Sequence, residues 1–133
     1  LQFGDSSNAS QDIRNAVTEF DFATPRAVQD VTGIDKAAME RLLLLADCSV
    51  NLKAVFDTQA TSGFHAVFST VPSTSVNRMM ALTTNGKNLN IGTAGAGNGA
   101  LLPTDYKVTR SASGELLTEV PLVLANGSVP TWS

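Results

Sequence analysis

The stretch DKAAMERLLLLA, residues 35–46, decides how the rest of the chain is read. Its spacing predicts a helix over 35–46, with Asp35 capping the first turn by accepting from its free amide groups. A helix presents only about 100° of arc to a core. Met39, Leu42, Leu43 and Ala46 fit that stripe, with Ala38 and Leu45 at its margins. Leu44 falls outside it, and the leucine run as a whole sweeps a full turn. Such a helix either lies deep between two layers or has its far side covered by another chain. In a chain of 133 residues otherwise rich in short strands, the second arrangement is the more economical. It points to assembly rather than to chemistry.

On the amino-terminal side, residues 1–4 read as a short strand. Residues 18–23 alternate, with Phe20 and Phe22 opposed to Glu19 and Asp21. Thr24-Pro25 ends that strand, and 27–32 is extended up to Gly33. On the carboxy-terminal side, residues 49–57 form the clearest strand. Its buried row is Val50, Leu52, Ala54 and Phe56, and its outward row Ser49, Asn51, Lys53 and Asp57. Phe64, Val67, Phe68 and Val71 recur at helical spacing, so a short helix is expected over 62–69, stopped by Pro72.

Asn85-Gly86 is a two-residue hairpin signal between 75–84 and 87–91, because both turn positions need positive φ. Closing the hairpin there sets Leu82 opposite Leu89 and Met80 opposite Ile91. The segment GTAGAGNGA, 92–100, lacks the Lys-Ser/Thr of a phosphate loop. It reads as a flexible loop, with Gly92, Gly95, Gly97 and Gly99 as candidates for contact with another subunit. A second hairpin joins 103–110 to 115–124, and Pro121 marks its second strand as an edge or as kinked. About seven strands and two helices, one main and one short, imply a mainly β fold. The expected form is a β-sandwich or barrel with flanking α, in a single domain spanning 1–133.

Charged residues make up 16% of the chain, against about 25% on average, and the formal net charge is −3. So sparse a charge suits a surface largely covered by something other than water. The scattered basic residues do not suit phosphate gripping, which needs clustered Lys and Arg. No run approaches the ~18 apolar residues of a membrane span, so no membrane partner is expected.

Chemistry has little to work with. The single His65 and single Cys48 remove multi-histidine sites and zinc fingers. Cys48 reads as a small buried apolar side chain. The carboxylate pairs Glu19/Asp21 and Asp105/Glu119 lie on the polar rows of strands, where solvation is their ordinary role. There is no nucleophile elbow and no dinucleotide fingerprint. No enzyme, cofactor or metal is expected.

Three blocks carry a resemblance: TPRAVQDVTGIDKAAMERLLLLADCSVNLKAVFD, GFHAVFSTVPSTSVNRMM and LLPTDYKVTRSASGELLTEVPLVLANGSVPTW. From about residue 13 onward the chain resembles the major tail (tail tube) proteins of long, non-contractile-tailed bacteriophages, the siphophage type that infects actinobacteria. The resemblance implies a structural virion protein of the tail, assembled in the host cytoplasm. It implies hexameric rings that stack into a hollow cylinder around a tape-measure protein and later conduct the genome into the host. It further implies a sandwich whose strands join those of neighbours in a continuous inner barrel, with a helix outside. Partners would then be the chain itself, the tape measure, other tail proteins, and genomic DNA in transit without specific binding.

On this reading Met39, Leu42, Leu43, Leu44, Leu45, Phe64 and Phe68 are candidates for the subunit interface. Passing DNA must not stick, so the lumen should be neutral or acidic. Thr83, Asn88 and Asn90 are neutral candidates, and Glu115 and Glu119 acidic ones. Arg78 and Lys87 would need an inter-subunit partner or a place outside the bore. Competing readings are another β-rich virion part (tail terminator, baseplate or head-decoration protein), the inner tube of a contractile injection system, and a monomeric small-ligand-binding sandwich.

Overall fold

The structure is a computed structural model describing residues 1–133. The chain is mainly β, 45% strand and 4% helix. Its strands are β1 (Gln2–Gly4), β2 (Ser10–Asp12), β3 (Val17–Ala23), β4 (Arg26–Asp30), β5 (Arg41–Ala46) and β6 (Ser49–Val55). After helix α1 (Phe64–Phe68) come β7 (Met80–Thr84), β8 (Lys87–Ile91), β9 (Leu101–Pro103), β10 (Lys107–Arg110), β11 (Leu116–Leu124) and β12 (Thr131–Trp132). One sheet has the order β12-β8-β7-β1-β2, and a second β10-β11-β6-β3, with β9 also on β11. All pairings are antiparallel, and β4 and β5 form a separate two-stranded hairpin.

The two larger sheets share one core of 17 buried residues. The second sheet contributes the alternating rows Val50, Leu52 and Ala54 of β6 and Val120 and Leu122 of β11. Phe3, Met80, Leu89 and Ile91 come from the first. Helix α1 fills the interior with Phe64, Val67 and Phe68, and the Phe3 and Phe68 rings meet edge to face at 5.9 Å. The hairpin at Asn85-Gly86 closes in the expected register, Leu82 opposite Leu89 and Met80 opposite Ile91. Asn85 and Gly86 both have positive φ, 48° and 75°.

Several expectations are overturned. Residues 35–46 are not a helix: Arg41–Ala46 is strand β5, paired with β4 in the register Asp30–Arg41, Gln29–Leu42 and Val28–Leu43. A short apolar run fits strand or helix equally by periodicity. A dozen-residue helix with nothing packed against it is marginal in water, whereas β4 supplies a ladder. The intervening loop is closed by Thr32, whose hydroxyl accepts from Glu40 N at 2.7 Å and lies 3.1 Å from Glu40 O. Strand number is also higher than the seven expected, because short pieces such as β2, β9 and β12 lack a periodic signature.

Strand β11 is not an edge strand. It pairs with β6 on one side and with β10 and then β9 on the other. Pro121 falls where the second partner changes, between the Glu119–Lys107 and Leu122–Pro103 pairs. Its missing amide donor therefore faces a break in the ladder, while its carbonyl accepts from Thr104 N at 3.0 Å.

Candidate functional site: surfaces for assembly

The β4–β5 hairpin projects as an arm whose strands make extensive contact only with each other. Every residue of β4 and all of β5 except Ala46 are exposed. Leu45 is 92% exposed, and Val28, Val31, Ile34, Met39, Leu42, Leu43 and Leu44 are exposed with it. At its base Arg26 Nε donates to Leu44 O at 2.8 Å. Val129 there joins Leu43, Leu44 and Leu45 around an open, mostly apolar concavity of about 820 Å³. A bare β-hairpin gains stability from burying such a face, and the chain itself supplies no cover for this one.

Interface candidates thus divide. Met39 and Leu42, Leu43, Leu44 and Leu45 are together on the arm, although as strand and loop rather than helix. Phe64 and Phe68 are wholly buried in the core and present no surface, which corrects their assignment. The helical spacing that singled them out was the signature of packing on the chain's own sheets.

The lumen candidates divide in the same way. Thr83, Asn88 and Asn90 are exposed on β7 and β8 of the first sheet, with Thr83 Oγ1 2.8 Å from Asn88 Oδ1. Glu119 lies on the outward face of the second sheet, and Glu115 stands exposed just before β11. The two sheets enclose one core, so their outward faces point opposite ways. One bore cannot be lined by both sets.

On the outward face of the second sheet, ladder registers align Glu19, Lys53, Glu119 and Lys107 in one transverse row. Lys53 Nζ is 3.5 Å from Glu19 Oε2. Asn51 Nδ2 donates to Glu119 Oε1 at 3.3 Å. The alternation of β3 and β6 placed Glu19 and Lys53 outward, but only the register brings these charges side by side. The far edges of β3 and β10 carry no partner strand.

The glycine-rich segment is held more firmly than a free loop. Asn8 is buried; its Nδ2 donates to Thr93 O at 2.9 Å and Gly95 O at 2.8 Å, and its Oδ1 accepts from Met79 N at 2.7 Å. Gly92 and Gly99 are sites of close backbone approach: a Cβ on Gly99 would collide with Asn77 O, and one on Gly92 would sit 2.8 Å from Ala100 N. Gly95 and Gly97 take positive φ near the exposed tip.

Arg78 needs no second subunit. It is 1% exposed, donating through Nη1 to Val67 O and Gly4 O and through Nη2 to Thr70 Oγ1, with its guanidinium 5.2 Å from the Phe68 ring centre. Burial pulls its pKa below the usual value, opposed by the charge of Asp5. Lys87 lies exposed on β8.

Burial, and secondarily Asp47, push the Cys48 thiol up to about 11, so it is held as an unreactive thiol. His65 Nδ1 lies 3.0 Å from the Tyr106 hydroxyl, and its ring packs 5.0 Å from Phe56. These contacts form a packed aromatic corner rather than a nucleophile–base pair. No helix is long and apolar enough to cross a membrane.

A mainly β sandwich with one projecting apolar arm is the class the geometry defines. No family model matches the chain, and no curated protein does. Among solved structures, a chain in the tail of an empty gene transfer agent particle, determined by helical refinement with C6 symmetry, is similar with a TM-score of 0.62. Identity is 15%, over 89% of this chain and 82% of that one. A chain in the virion of a native gene transfer agent particle is similar with a TM-score of 0.63 and 16% identity, over 93% of this chain and 88% of that one. The chain shares the fold of these particle components.

Proposed function

We propose that the chain is a tail structural protein of a phage-like particle, acting as the repeating subunit of the tail tube. Copies close into rings by joining sheet edges, rings stack, and the hollow cylinder carries the genome. The carrying observation is the β4–β5 arm, exposed on both strands, carrying the four leucines of β5 together with Val28, and covered by nothing in its own chain. Monomeric proteins rarely present contiguous apolar surface of that kind. The arm stands on a fold shared with a chain from a C6-symmetric tail, which supports six copies per ring. Residues 1–133 act as one domain, tape-measure and other tail proteins are the partners, and the working location is the virion tail. The role is structural and not enzymatic.

The second sheet is the better lining for the bore. Its strands β3, β6 and β11 run to 7, 7 and 9 residues, longer than any strand of the first sheet, and its far edges are open for neighbouring copies. Its outward charges, Glu19, Asp21 and Glu119 against Lys53 and Lys107, leave a weakly acidic face. Such a face repels DNA phosphates gently and offers them no basic cluster. Glu119 is the lumen candidate on this assignment, and Thr83, Asn88 and Asn90 face the outside of the tube.

Negative-stain imaging of the purified chain tests the reading. Rings or tubes with a central channel are expected; a dispersed, folded single molecule at high concentration would refute it.

A further inference from the structure

The outward face of the second sheet carries an incomplete charge pattern. Lys53 stands between Glu19 and Glu119 in register, so its charge is answered on both sides. Lys107 has Glu119 on one side and an open strand edge on the other, and it forms no ion pair within the chain. At the opposite edge, Asp21 is exposed with Asn51 rather than a cation at its register position. One edge therefore lacks an anion and the other lacks a cation.

Strand direction makes the two edges compatible. The order β10-β11-β6-β3 is antiparallel at each step, so β10 and β3 run in opposite directions. Copies related by rotation about the ring axis then meet with β3 antiparallel to the next copy's β10, and the ladder continues without a change of type. Side chains keep to the correct face only for even-numbered register steps. A closed barrel also needs its strands to stagger. A step of two residues from the unstaggered row moves Lys107 from Glu19 to Asp21, with Glu19 next to it on the diagonal.

We propose that the free edge of β3 is the docking strand for β10 of a second copy of this chain, in the register that sets Lys107 opposite Asp21. This rests on the ring-forming reading above and assigns its interface. Main-chain hydrogen bonds supply the affinity. The charges select the register, because exposed pairs add little energy individually whereas like charges directly opposite are disfavoured. Around the ring, each copy's row of Glu19, Lys53, Glu119 and Lys107 then leads into the next copy's row by one diagonal step, with Asp21 beside the junction.

Two measurements test the interface in the full chain. Lys107→Glu raises the protein concentration needed for assembly about tenfold at low salt, and Asp21→Lys in the same chain restores it. Restoration also shows that the single variant had folded. The second is oxidative cross-linking: Asp21→Cys with Lys107→Cys gives a ladder of disulfide-linked multimers up to the closed ring, since opposed Cβ atoms stand about 4.5–5.5 Å apart. Cys48 is buried and does not compete. Cross-linking by Glu19→Cys with Lys107→Cys instead overturns the register. Absence of both cross-links in polymerising protein overturns the interface. Failure of the unmodified chain to form rings at all defeats the tube reading instead, and imaging that chain in parallel separates the two failures.

Discussion

Arg78 ties several distant segments of the fold together. Its backbone exchanges hydrogen bonds with Leu101, linking the strand region before β7 to β9 of the opposite sheet. Its side chain meanwhile caps carbonyls at Val67 and Gly4. The five donors of a guanidinium can serve several acceptors at once from a rigid fork; an ammonium cannot. Arg78→Met leaves those carbonyls unpaired and is expected to cost about 1–3 kcal/mol in urea denaturation. Arg78→Lys is expected to be no better, because it keeps a buried charge while losing the fork. Nothing in the local sequence distinguished Arg78 from a surface cation. Its burial arises from residues far away in the chain, and the same is true of Asn8, which clamps a loop 85 to 87 residues further on.

Elements divide by how strongly burial constrains them. Strand β6 was legible because one face is covered and the other wet, which imposes strict alternation. The β7–β8 hairpin was legible because its turn demands two residues of positive φ. The arm differs from the expected helix because its apolar residues answer to no core of their own chain, so no period discriminates helix from strand. Its exposure yields a sharp expectation. Leu43→Ser with Leu45→Ser should leave thermal stability of the single chain nearly unchanged, within about 0.5 kcal/mol per site. The same pair should abolish tube formation followed by light scattering. A large loss of stability with assembly intact would mean that the arm folds back onto its own chain.

At the scale of the molecule, the sandwich has two outward faces that point opposite ways. Thr83, Asn88 and Asn90 lie on the first sheet and Glu119 on the second, so in the proposed tube only one set can face the bore. Leu117 is exposed on the outward face of the second sheet, on strand β11 between β6 and β10. Leu117→Lys is expected to permit assembly and to slow DNA ejection, whereas Asn88→Lys on the other sheet should leave ejection unchanged. Ejection kinetics measured on reconstituted particles decide between them. The reverse pattern would turn the sandwich around in the tube wall.

The sequence by itself determined the mainly β character, the alternating rows of the central strands, the register of the Asn85-Gly86 hairpin and the scarcity of reactive groups. Each of these depends on neighbours a few residues apart. Only the tertiary structure decided that the leucine run is an exposed strand, that Phe64 and Phe68 are core, and that Glu19, Lys53, Glu119 and Lys107 share a row. Those outcomes depend on which distant segments meet, and long-range pairing leaves no period in the residues it joins.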